Sequence, residues 1–239
     1  SFSGTYTNYS WRTMGTFASG MNARGWAYVV SAGKRLAQEG YFEGTNYDAS
    51  SFFISLEKKI NNAHSLNITA FYTPNSRAKN SPNTTEVTEL TSEKYNSYWG
   101  FHEGKKRNAR MKTIEEPILM LNHYFKINTK TTLNSSLMYQ FGKIGNSNID
   151  YQNANSPDPT YYRKMPSYYS SVYATDDGEF SGAFTPDYEN AAKSKVQFLV
   201  HQQMDWNAMY QANQTAIIDA NGTISGYKPT KSKYILYED

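Results

Sequence analysis

The chain has 239 residues, enough for one or two ordinary domains, and its 21 Tyr and 15% aromatic content are high. It has no cysteine, which removes thiolate metal sites, thiol catalysis and disulfides together, and a net charge of +3 with interspersed signs makes no case for nucleic acid. Mean hydropathy is −0.72 and no stretch approaches the roughly 20 apolar residues of a spanning helix, so membrane residence would have to be as strands that satisfy one another's backbone groups.

Thr13 to Ser19 reads as a weak first strand. After a turn at Asn22 to Gly25, Trp26, Tyr28, Val30 and Ala32 alternate with Ala27, Val29, Ser31 and Gly33. Ser51 to Lys59 and Ser65 to Thr73 show the alternation best. Phe52, Ile54 and Leu56 fall on one side of the first piece; Leu66, Ile68, Ala70 and Tyr72 answer on the second. Ile60 and the short link Asn61 to His64 predict a tight antiparallel hairpin. Leu119, Leu121, His123, Phe125 and Ile127 run to a turn at Asn128 to Thr131, and Leu133, Leu137, Tyr139 and Phe141 return. Val200, Met204 and Ala208 recur at helical spacing, which predicts a short helix over Val200 to Asn213. Lys233 to Tyr237 reads as a strand just starting.

Short turns lie at one end of these strands, and the connections Leu36 to Tyr47, Pro74 to Lys112 and Gly142 to Lys233 lie at the other. They are mostly far longer than hairpin loops. That asymmetry and an alternating apolar band are what an outer-membrane barrel shows. Phe52, Ile54, Leu56, Leu66, Ile68, Ala70, Trp26, Tyr28 and Val30 are expected to face lipid, and Ser55, Glu57, Asn67 and Thr69 a lumen. About seven or eight strands are visible, with too much loop for a small closed barrel, so residues 1–239 read as a segment of a larger one.

Residues that could carry chemistry do not converge. His64, His102, His123 and His201 share no ligand spacing, and surface or packed histidines are the plainer reading. Glu115 and Glu116 precede Pro117 at a strand entrance and read as a loop-rim pair. Asp176, Asp177, Gly178 and Glu179 lack the full ligand spacing of a calcium loop. Gly142 and Gly145 read as a loop tip, and Lys105, Lys106, Arg107 and Arg110 as a solvated basic loop. No catalytic residue, metal ligand or cofactor is assigned, and the chain is read as not an enzyme.

Several runs are nevertheless specific. Gly25, Trp26 and Ala27 are followed by Lys34 to Tyr41; Tyr95 and Asn96 by Tyr98, Trp99 and Gly100, then Gly104 to Arg110; Glu115 to Tyr124 by Tyr139 to Lys143; and Asp205 and Trp206 by Tyr210 and Asn213. Asn155, Pro157, Pro159, Thr160 to Tyr162 and Pro166 to Tyr168 fit as well. The sequence resembles the barrel of TonB-dependent receptors of the Bacteroidetes type over most of its length. The resemblance implies an all-β fold of ~22 antiparallel transmembrane strands with long extracellular loops around an N-terminal plug that is not seen here. It further implies nutrient uptake across the cell outer membrane, driven through TonB, with outer-membrane lipid, the plug and the rest of the barrel as partners, and in some members a surface lipoprotein lid.

Among loop aromatics, Trp99, Tyr161, Tyr162 and Tyr168, with Tyr98 and Tyr169, are the candidates for ligand contact, because binding residues concentrate on long loops of a rigid scaffold. Packing the loops or forming an aromatic belt is the competing reading. The alternative for the whole chain is a soluble all-β ligand-binding module of carbohydrate type, with its apolar faces turned to an internal core.

Overall fold

The computed structural model describes residues 1–7, 10–152, 154–170 and 186–239. Strands β1 (Phe2–Tyr6), β2 (Trp11–Ala18), β3 (Trp26–Ala37), β4 (Tyr47–Lys59) and β5 (His64–Tyr72) form an antiparallel meander. Next come β6 (Asn75–Ala78), the helix α1 (Thr85–Leu90) and a hairpin of β7 (Trp99–His102) and β8 (Lys105–Asn108). The chain re-enters the sheet as β9 (Met111–Glu115), β10 (Ile118–Lys126), β11 (Thr132–Gln140) and β12 (Lys143–Asp150). Helices α2 (Pro166–Ser170), α3 (Tyr188–Val200) and α4 (Trp206–Ala212) follow, then a hairpin of β13 (Gln214–Ile218) and β14 (Ile224–Pro229), then β15 (Ile235–Glu238) on the edge of β12.

The fold is all-β and antiparallel. Its 11-stranded sheet runs as eight lines, because β5 with β6, β10 with β9, and β11 with β12 are each one line interrupted once. The interruptions fall in one row, at Thr73-Pro74, Glu116-Pro117 and Phe141-Gly142. Proline has no N–H to give a ladder. Its carbonyl still works: Ser50 N–H donates to Pro74 O at 3.0 Å and Phe141 N–H to Pro117 O at 3.3 Å. Gly142 takes φ +131°, and a Cβ there would overlap the Glu115 carbonyl. The described sheet does not close on itself.

Register sorts the two faces. Phe17, Val30, Ile54, Ala70, Leu119 and Tyr139 stand opposite one another in one row; Tyr28, Leu56, Ile68, Leu121 and Leu137 form the next. This apolar face is exposed, Ile54 at 51% and Ile68 at 55%. No described element covers it. The other face is polar and bonded to itself at the same level. Asn67 Nδ2 donates to Ser55 Oγ at 2.8 Å, Thr69 Oγ1 to Asn67 Oδ1 at 2.8 Å, and Asn122 Nδ2 to the same Asn67 oxygen at 3.1 Å. Apolar and polar residues therefore separate to the two faces as their alternation predicts.

Three expectations are corrected. The long connections are not loops alone, because β6, β9 and β12 lengthen the sheet beyond the row of interruptions. They were hidden in the sequence because Asn75, Ser76 and Arg77 carry no apolar alternation. Gly145 lies inside β12 and not at a loop tip: Glu238 occupies the space its side chain would fill. The predicted helix over Val200 to Asn213 is instead the end of α3, a break and α4. Val200 is 69% exposed, and Met204, in the break, is buried with its N–H donating to Trp99 O at 3.0 Å. Asp205 then caps a new helix by accepting from Ala208 N–H at 2.9 Å.

Candidate functional site

Beyond the row of interruptions the connections fold into a packed layer with two small cores. Val87 of α1, Tyr95, Met165 and Phe198 of α3 form one; Ala109, Ile149 of β12, Met204, Trp206 and Met209 form the other. α1 starts where Thr84 Oγ1 accepts from Val87 N–H at 3.3 Å, and α3 where Asp187 accepts from Asn190 N–H at 2.9 Å. Tyr95 donates its O–H to Gln202 O at 2.6 Å; burial first, and then Asp158 and Glu43, push its phenol well up from its ordinary value.

Asn96 and Asn108 knit the connections together. The fully buried Asn96 accepts from Ser81 N–H at 3.0 Å and Tyr98 N–H at 3.1 Å, and donates to Glu43 O at 2.8 Å and Lys79 O at 3.2 Å. Asn108 donates to Gly44 O at 3.1 Å and to the same Lys79 oxygen at 2.9 Å. In the sequence only their place in the specific runs marks these two residues.

The four ligand-contact candidates separate into two groups. Trp99 is 5% exposed, with the Lys106 ammonium 4.7 Å from its ring centroid and Phe101 against it edge-on. A Cβ on Gly44, at φ +64°, would overlap the indole. It is a packing residue with little surface left for a ligand, which corrects its selection. Tyr161, Tyr162 and Tyr168 do come together, with centroids 4.8 Å apart for the first pair and 5.5 Å for the second, and Tyr169 adds a ring 5.1 Å from Tyr168.

That aromatic run is held from behind. Met165 is buried, Lys164 Nζ donates to Ser156 O at 2.6 Å and Asp158 O at 2.9 Å, and Glu86 accepts from Ser167 N–H and O–H at 2.8 and 2.6 Å. Burial lowers the Lys164 ammonium despite Asp158 nearby. Arg163 Nε donates to Tyr162 Oη at 2.8 Å, which holds that phenol below its ordinary value. Tyr162 is 53% exposed, so the run presents a polar and aromatic surface on a fixed base.

The basic cluster is not a solvated loop. Lys105, Lys106 and Arg107 lie in β8; Lys106 pairs with Glu39 at 2.6 Å; Arg107 lies 4.3 Å over the Trp206 ring and donates to Tyr210 Oη at 2.8 Å. Glu115, at the end of β9, pairs with Lys143 at 3.5 Å. His64 Nδ1 and His123 Nε2, distant in sequence, meet at 3.0 Å and stack with Phe125 on the apolar face. Among the described residues no three His, Asp or Glu side chains converge as metal ligands. Asp176, Asp177, Gly178 and Glu179 lie outside the described residues.

A cleft of about 530 Å³ lies beside the layer, lined by Tyr6, Trp11, Leu36, Glu39, Tyr41 and Lys94. By alternation Tyr6, Trp11 and Leu36 share the face of Phe17 and Val30, so this aromatic margin borders the apolar band. No protein-family model, curated protein or solved structure matches the chain.

Proposed function

We propose that this chain is part of the wall of an outer-membrane, TonB-dependent receptor that binds a nutrient outside the cell and passes it inward. The observation that carries the reading is the exposed apolar face of the meander, backed by a self-bonded polar face at the same level. Along β4 that face runs from Phe52 to Ile60, nine positions, and a transmembrane strand needs about 9–11 residues. Aromatics mark both margins: Phe52 and Tyr72 stack at 6.5 Å at one end, and Trp26 lies under the Lys58 ammonium at 4.8 Å at the other. Tight turns close the second end, and the packed layer of connections stands beyond the first.

On this reading the eight lines belong to a larger closed barrel of ~22 strands. The rest of that barrel, a plug and TonB complete the machine, outer-membrane lipid meets the apolar face, and a surface lipoprotein lid is a further candidate partner. The soluble carbohydrate-type module needs a second layer over the apolar face, and no described element supplies it.

These 239 residues hold no cysteine, so a thiol introduced among them has no neighbour to compete with it. Glu103, in the β7–β8 turn, and Asn128, in the β10–β11 turn, lie at opposite ends of the strands. A membrane-impermeant maleimide on whole cells should label Glu103→Cys in the intact protein, and Asn128→Cys only after permeabilisation. Equal labelling of both, or recovery of the protein in the soluble fraction, rejects the reading.

A further inference from the structure

The two margins of the apolar face treat their cations differently. At the margin near the row of interruptions Lys34 pairs with Asp48 and Lys143 with Glu115. At the margin near the short turns no such pair exists among the described residues. Residues 17–29, 56–67 and 122–134, which flank those turns, hold Arg24, Lys58, Lys59, Lys126 and Lys130 against one carboxylate, Glu57. None of the five cations belongs to an ion pair among the described residues. Glu57 stands on the polar face, opposite Asn67, where it accepts from Ser65 Oγ at 2.7 Å. Lys59 and Lys126 share that face by alternation, so Glu57 offsets one of them and leaves nothing for the apolar side.

Lys58 stands on the apolar face. Register puts Trp26, Lys58, Leu66, His123 and Ser135 in one row, between the apolar row of Tyr28, Leu56, Ile68 and Leu121 and a last row in which His64, Phe125 and Leu133 stand opposite one another. Lys58 Nζ donates to Arg24 O at 2.7 Å and lies 4.8 Å from the Trp26 ring centroid, which leaves two of its three N–H groups without an acceptor among the described residues. His64 Nδ1 and His123 Nε2 meet at 3.0 Å, the one side-chain hydrogen bond that either ring makes among the described residues. One ring must donate and the other accept, so either tautomer leaves the neutral pair with one free N–H and one free acceptor nitrogen. Leu66 separates Lys58 from the pair by two strand spacings, about 10 Å from backbone to backbone. Unused donors set among apolar side chains call for a ligand that is polar at one end and apolar along the rest.

We propose that this margin holds two anionic phospholipid headgroups side by side, one phosphate accepting from Lys58 Nζ and the other from the free imidazole N–H. The span between the two donors is too wide for one phosphate. The acyl chains lie along the apolar rows, past Leu56, Ile68 and Leu121. A zwitterionic headgroup would bring an ammonium as well, and no carboxylate faces this side of the margin among the described residues to receive it. Charge therefore selects a lipid with a net negative headgroup. A hydroxyl beside the phosphate, as in phosphatidylglycerol, meets the free acceptor nitrogen. An acidic protein segment is the rival occupant, but it has no need of the apolar rows on both sides of Lys58 and His123. The lipid occupant rests on the receptor reading; the charge without a partner does not.

The test counts lipids held by the intact protein in neutral detergent, by native mass spectrometry, with phosphatidylglycerol, phosphatidylcholine and inorganic phosphate as probes. Two phosphatidylglycerols should be retained at concentrations where phosphatidylcholine is not, and inorganic phosphate should not displace them. Lys58→Met keeps the stem over Trp26 but loses the ammonium, and should weaken one site about fivefold. Lys58→Arg should keep it. His64→Phe with His123→Phe preserves the stacked rings and should abolish the other site, while Lys143→Gln at the far margin should leave both unchanged. Equal retention of the two lipids, displacement by inorganic phosphate, or unchanged affinity in Lys58→Met and in the double phenylalanine variant overturns the proposal. Retention of no lipid overturns it too and assigns the charge to an acidic segment. Labelling at Glu103→Cys and Asn128→Cys reports separately on the receptor reading, so sided labelling with equal retention of both lipids rejects this inference alone.

Discussion

Arginine in place of Ile68 tests the sorting of the faces most sharply. Ile68 is 55% exposed and sits in the central apolar row, opposite Leu56 and Leu121. It is four positions from Tyr72 and four from His64, about 13 Å of strand either way at roughly 3.3 Å per residue. With the strand tilted about 40° the charge would lie about 10 Å from either edge of the band. An arginine stem snorkels part of that distance, and a midplane arginine on a lipid face costs about 2–4 kcal/mol. Thr69→Arg, the next residue, faces the polar side. It breaks the bonds to Ser55 and Asn67, worth about 1 kcal/mol each, while its charge stays in water. Denaturant titration of the intact protein refolded into lipid vesicles measures both. Ile68→Arg should be the costlier by about 1 kcal/mol or more, and should lose that excess as it is moved toward Tyr72. Equal costs, or an excess for Thr69→Arg, would refute the assignment of faces.

Gly44→Ala meets both a positive φ and the Trp99 indole, and Trp99→Ala empties a buried site, so each should cost about 2–4 kcal/mol and raise protease cleavage between residues 79 and 110 with the meander intact. Asn96→Ala orphans the Ser81 and Tyr98 N–H groups and the Glu43 carbonyl at about 1 kcal/mol or more each, while the Lys79 carbonyl keeps Asn108, with the same cleavage as readout. Alanine at Tyr161, Tyr162 and Tyr168 together should weaken ligand uptake at normal surface expression; unchanged uptake would assign the run to packing. Burial alone would raise the Glu39 carboxyl, but Lys106 and the Gly44 N–H, at 2.6 Å, outweigh it and hold it below its ordinary value. Its contribution is therefore complete above the unfolded carboxylate's pKa and fades as pH falls through the lowered folded value. Tryptophan fluorescence should show an acid transition near Trp99 that Glu39→Gln lacks.

The strands of the apolar band were legible because one face is apolar and the other polar. Ile54, Leu56, Ile68 and Leu121 cannot change places with Ser55, Thr69 and Asn122 without reversing the faces, so period two is written plainly. Beyond Pro74 and Pro117 that constraint ends. Asn75 to Ala78 and Lys143 to Asp150 pair through backbone bonds with mixed side chains on both sides, and nothing in their composition distinguishes strand from loop. The packed layer was illegible for another reason. Its cores join residues far apart in sequence, Tyr95 with Phe198 at 5.9 Å and Ala109 with Met204, so no local period exists to read.

The same boundary explains why the candidate site was only half legible. Aromatic type in a long connection selected Tyr161, Tyr162 and Tyr168, but it also selected Trp99, because an indole under Lys106 and an exposed phenol look alike until the contacts of Gly44 are known. Like charges that face one another across strands need still more. Arg12 and Arg35 are 23 positions apart and Arg77 and Lys112 are 35, and each pair meets only through the register of the strands. Net charge hid them as well. A total of +3 conceals two pairs of like charges that stand directly opposite one another on the polar face. What acts on a long-range partner is the charge on one face at one level, and only register reveals it.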